Sequence, residues 1–108
     1  MQTSVGGSTN NPVAELQPGS FGAFTDNSGS AGNTTINTAR GKAAIAAGAA
    51  AVTVTNQLVM ATSLVLVVLQ TNDATAILKN VVPANGSFVV NTTAVTTAAT
   101  SFGFVVIN

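Results

Sequence analysis

The run Leu64-Val65-Leu66-Val67-Val68-Leu69 is the longest unbroken stretch of apolar side chains in the sequence, and it limits the fold more than any other feature. Six residues are far too few for a membrane-spanning helix, which needs about 18–20. Three of the six are β-branched, and Ser63 and Gln70 bound the run, so it reads as a strand. A strand with one wet face alternates apolar and polar residues. This one does not, so both its faces need cover. One is covered by a packed sheet, the other by the N-terminal arm folded over it or by a neighbouring subunit. Leu64, Leu66 and Val68 are therefore candidate subunit-interface residues.

Shorter strands surround it. Ala51-Val52-Thr53-Val54-Thr55 alternates, with Val52 and Val54 on one face. Ile77–Val82 is a further strand, which Pro83 is expected to stop, and Asn85-Gly86 supplies a turn that tolerates positive φ. Ser87–Thr92 follows with Phe88 and Val90 on one face. The last strand, Ser101–Ile107, puts Phe102, Phe104 and Val106 on one side and Val105 and Ile107 on the other. Thr34–Thr38, Lys42–Ala46 and Leu58–Met60 are shorter candidates. The Ala-rich stretch Ala43–Ala51 invites a helix, but Gly48 interrupts it and Thr-Val alternation follows at once, so it reads as strand, turn, strand. Ala94–Ala99 fits a helical turn or an irregular crossover. The expected fold is all-β, an antiparallel β-sandwich of jelly-roll type.

The chain divides near residue 35. Residues 1–35 hold five Ser, five Thr, four Asn, six Gly and two Pro. Such a segment buries too little apolar surface to offset its ordering entropy, so it is expected to be an extended or flexible N-terminal arm before a sandwich domain at 36–108. Phe21 and Phe24 are its two aromatics. They either close over the domain's own core or anchor a partner, and Arg40 and Lys42 at the boundary are candidate contacts for an acidic surface.

Charge narrows the function. Only Glu15, Asp26, Arg40, Lys42, Asp73 and Lys79 are ionisable side chains, three of each sign, in 108 residues without His or Cys. The usual general bases and zinc ligands are missing, so no catalytic residue, metal site or cofactor is expected. Too few cations are present to neutralise a nucleic-acid backbone. No membrane partner and no small-molecule substrate is expected either. Gly41-Lys42 lacks the flanking residues of a phosphate loop, and Asp26-Asn27-Ser28-Gly29 lacks the further acids of a calcium loop. The latter reads as a turn with Asx hydrogen bonds. The first twenty residues have neither a basic start nor an apolar stretch, so no secretory signal is expected.

Four segments together carry a resemblance: VTVTN (52–56), LQTNDATA (69–76), VVPANGSF (81–88) and the closing FVVIN (104–108). Residues 43–108 resemble a small β-domain of tailed-phage virion structural proteins, most of all a capsid decoration (cement) protein. The resemblance implies a homotrimer on the outer capsid surface of the virion, bound to the major capsid protein and stabilising the assembled shell. Relatives often carry Trp near the final strand, where this chain has Phe102 and Phe104. The alternative is a tail-fibre or spike β-domain that binds host glycans, which the lack of Trp and Tyr for sugar stacking disfavours.

Overall fold

A computed structural model describes residues 24–108. Those residues form eight strands and no helix: β1 (Phe24–Asp26), β2 (Thr34–Thr35), β3 (Arg40–Ile45), β4 (Ala51–Thr55), β5 (Leu64–Leu69), β6 (Leu78–Ala84), β7 (Ser87–Thr92) and β8 (Thr100–Ile107). They build two four-stranded sheets. The first has the order β1-β3-β8-β5 and the second β2-β4-β7-β6.

Alternation in the sequence decides which side chains enter the space between the sheets. Val52 and Val54 from β4, Phe88 and Val90 from β7, and Phe102, Phe104 and Val106 from β8 are all buried. With Ile36, Ala43, Ile45, Val59 and Val65 they make one hydrophobic cluster drawn from both sheets, the arrangement of a β-sandwich. Phe88 and Phe104 meet across the gap with ring centroids 5.0 Å apart and planes tilted by 59°. That tilt brings the positive edge of one ring towards the negative face of the other. Gly41, paired with Phe104 across β3 and β8, leaves room for the ring. A Cβ on Gly41 would lie 2.9 Å from the Phe104 ring and 2.7 Å from the Thr25 carbonyl oxygen.

Loops are held by the few buried polar groups. Asn56 is fully buried; its Nδ2 donates to the Thr38 carbonyl at 2.8 Å and its Oδ1 accepts from the Leu58 N–H at 2.8 Å. Thr96 Oγ1 donates to the Ala46 carbonyl at 2.8 Å. Each satisfied group avoids the desolvation penalty of an unpaired one.

Three expectations change. Antiparallel pairing holds for four of the six strand pairs, but β1 pairs with β3, and β2 with β4, in parallel. The reason is the crossing pattern. The chain leaves β1 for the second sheet and returns to the first at β3, so β3 runs the way β1 did. Pro83 does not stop β6, which runs on to Ala84 with Pro83 opposite Phe88. β6 is an edge strand, where a missing N–H costs no ladder bond. Leu58–Met60 is turn and coil rather than strand. Ala94–Ala99 is an irregular crossover, tied by the bond from the Gly48 N–H to the Thr96 carbonyl at 2.7 Å. The Ala-rich stretch is strand, turn, strand, with Gly48 at φ 81°. β2 ends at Thr35, and β1 and β2 both belong to the sheets; residues 1–23 lie outside the described residues.

Gly41→Ala should lower stability by about 1–3 kcal/mol, because a backbone oxygen and a core ring must both give way. Gly103→Ala, whose Cβ would meet nothing nearer than 3.9 Å, should stay within about 0.5 kcal/mol of the parent. Urea unfolding of both variants checks the pair; equal stability would show that Phe104 does not depend on the gap at Gly41.

Candidate functional site

The outward faces of the two sheets differ in chemistry. In the first sheet the register lines up Phe24, Arg40, Val105 and Leu66 as one row across four strands. The next row outward is Asp26, Lys42, Gly103 and Val68, and Ile107 stands opposite Leu64. Residues directly opposite in a ladder share a face. Phe24 (51% exposed), Leu64 (56%), Leu66 (49%), Val68 (66%), Val105 (37%) and Ile107 (44%) thus form one apolar surface open to solvent. The Arg40 guanidinium carbon lies 5.6 Å from the Phe24 ring centroid, a cation–π distance.

Gly103 shapes this surface. Without a side chain between Lys42 and Val68 it leaves a shallow groove of about 410 Å³, lined by Phe24, Arg40, Lys42, Leu66, Val68 and Val105 among others. The groove is apolar along its length and cationic at one side.

The second sheet's outward face is wet. Its rows are Ala51, Asn91 and Asn80; Thr53, Val89 and Val82; and Thr55, Ser87 and Ala84. Asn91 Nδ2 donates to Asn80 Oδ1 at 2.8 Å. Of the large apolar side chains exposed in the protein, Val82 is the one in these rows. Polar side chains stand in each of these rows, whereas on the first sheet's face Asp26, Arg40 and Lys42 stand among six exposed apolar side chains.

Two sets of residues expected to act separately therefore lie together. The candidate partner contacts Phe24, Arg40 and Lys42 and the candidate interface residues Leu64, Leu66 and Val68 occupy one face. Phe21 lies outside the described residues. Val105, Ile107 and Gly103 complete the surface without having been singled out. Their signal was present in β8, where every second residue faces away from the buried Phe102, Phe104 and Val106.

The acids serve the fold. Asp26 Oδ1 accepts from the Ser28 N–H at 2.9 Å and the Ser28 hydroxyl at 2.6 Å, the Asx turn expected from the sequence. These bonds, with a smaller contribution from Lys42, lower the Asp26 pKa. Asp73 joins two crossovers. Its Oδ1 accepts from the N–H groups of Thr75 (3.0 Å) and Ala76 (2.9 Å), and its Oδ2 from the Thr97 N–H and hydroxyl, both at 2.9 Å. Led by the Thr97 backbone bond, these donors hold the carboxyl well below the usual carboxylate range. Among the described residues no three His, Cys, Asp or Glu side chains come together. No protein-family model, characterised protein or solved structure matches this chain.

A carboxyl with a lowered folded pKa stabilises the fold above its unfolded pKa and loses that contribution as pH falls towards the folded value. Stability should therefore hold from pH 7 to about 4 and then fall with added acid. Asp73→Asn, which keeps the shape but puts an amide where Thr97 needs an acceptor, should be less stable at pH 7 and show a flatter acid slope. Unfolding midpoints measured between pH 2 and 7 check this; parallel profiles for parent and variant would remove Asp73 as the source.

Proposed function

We propose that this protein is a decoration (cement) protein of a tailed-phage capsid, docking on the major capsid protein at the outer capsid surface through the outward face of its first sheet. The observation that carries the reading is the asymmetry between the two outward faces: one holds six exposed apolar side chains beside Arg40 and Lys42, the other is polar. Contiguous apolar surface on a small protein marks a place where another macromolecule sits. An aromatic and an arginine side by side, as Phe24 and Arg40 are, are the residue types that anchor such contacts.

The strand order supports a jelly-roll reading. β3 and β4 form one arm and β7 and β8 the returning arm of a long antiparallel hairpin, bent so that its halves lie in different sheets. β5 and β6 then extend each half by one strand. The resemblance of residues 43–108 to virion β-domains adds the kind of partner. A protein of this kind binds the assembled shell and not its free subunits. Occupancy at 100 times Kd then stabilises the bound state by about 2.7 kcal/mol per site.

Capsids stripped of the protein and re-bound with variants test this. Leu66→Asn combined with Val105→Asn should weaken binding at least about tenfold, since two half-exposed apolar groups are lost at about 1.4 kcal/mol per decade. Val82→Asn on the second sheet should bind as the parent does. Raising salt from low to moderate should change occupancy little, because among the described residues only Asp26, Arg40 and Lys42 are charged on this face. Detachment by Val82→Asn, or full binding by the double variant, would overturn the assignment of the face.

A further inference from the structure

β5 ends the first sheet, and among the described residues no strand pairs with its open side. The β5–β8 ladder pairs Leu64 with Ile107 through Leu69 with Phe102 without a slip, and the Gln70 N–H continues it to the Ser101 carbonyl at 2.8 Å. That bond fixes the direction of every peptide group in the strand. In an antiparallel pair successive residues point their N–H and C=O alternately towards and away from the partner. Gln70, Val68, Leu66 and Leu64 therefore face β8, and Val65, Val67 and Leu69 face the open side. Among the described residues no backbone bond reaches those three. A groove of about 590 Å³ lies beside the end of the strand, lined in part by Val67, Leu69, Gln70, Ile77 and Leu78.

The matching edge of the second sheet is guarded. β6 carries Lys79 and Pro83, and its register slips between Leu78 and Asn80. Lysine, proline and bulges are the devices that stop an edge from pairing with another chain. β5 has none of the three.

We infer that β5 is a pairing edge for a second copy of this chain, whose own β5 joins it antiparallel about a two-fold axis perpendicular to the sheet. Length selects the occupant. The other edge of this sheet, β1, is three residues long, whereas a second β5 pairs with five of the six residues of this one. Parity fits as well. Val67 set opposite Val67 of the second copy puts Val65 opposite its Leu69, so the outward N–H and C=O groups meet one another. The same register puts Leu66 opposite Val68 on the outward face. Residues 64–72 carry no ionisable group, so two copies meet without like-charge repulsion. The area sets the strength. Six residues span about 20 Å and the sandwich is about 10 Å deep, so each copy buries roughly 200–300 Å² at this edge. A stable interface needs about 800 Å² per partner, so this dimer dissociates on dilution.

Sedimentation equilibrium of the full chain, from micromolar to millimolar, should show the mass rising from one copy towards two. Val67→Pro removes an N–H that β8 does not use, so the sheet survives and association should weaken more than tenfold. Val68→Lys, at a position 66% exposed, should do the same by charging the edge. Far-ultraviolet circular dichroism of each variant verifies the fold. A monomer at every concentration would overturn the inference. So would a dimer indifferent to both variants, or the three-fold assembly that the virion resemblance implies. None of these readouts involves a capsid, so failure here leaves the docking face untouched.

Discussion

Phe104 is clamped between Phe88 of the opposite sheet and the bare backbone of Gly41 in its own. The two rings set the separation of the sheets, and with Phe102 they supply the largest side chains of the core. The same clamp reaches outward. Gly41 sits one residue from Arg40 and one from Lys42, so seating Phe104 inward over Gly41 turns both cations to the opposite face. It also fixes β8, whose Val105 and Ile107 must then point out beside them. A core decision thus writes the chemistry of the surface.

Much of this was legible in the sequence because β4, β7 and β8 alternate. Val52 and Val54, Phe88 and Val90, and Phe102, Phe104 and Val106 are buried as their spacing predicts. Leu64–Leu69 had no alternation to read, and its parity comes only from its pairing with β8. The joint face was invisible for a related reason. Phe24 and Leu66 are far apart in sequence and on opposite edges of the sheet, and they share a row only because β3 and β8 lie between them. Local pattern reports which way a residue points relative to its neighbours; strand order, a long-range property, reports what it points alongside. The parallel pairs β1·β3 and β2·β4 escaped for the same cause.

Scarcity of charge has a structural counterpart. Asp73 gives its oxygens to Thr75, Ala76 and Thr97, and Asp26 gives one of its own to Ser28. These carboxylates fasten loops, alongside the Asn, Ser and Thr side chains that bond there too. The cations of β3 stand instead on the apolar face, and Lys79 stands on the guarded edge of the other sheet. Among the described residues the two acids fasten loops, two cations stand on the apolar face and the third stands on the guarded edge.

The two proposals meet in their geometry. Three strands of six or more residues and the three-residue β1, about 4.8 Å apart, offer a face of roughly 350 Å², less than half of what one side of a stable interface buries. A two-fold axis perpendicular to the sheet keeps outward faces outward. Two copies joined at β5 would therefore present eight strands on one side, with Leu66 and Val68 of each copy at the seam and Phe24 with Arg40 at both far edges. The footprint doubles to roughly 700 Å², close to the area at which docking becomes stable. A weak edge contact and a small adhesive face are each insufficient alone. On a surface that holds two copies side by side, each supplies what the other lacks, since docking raises the local concentration that edge pairing needs.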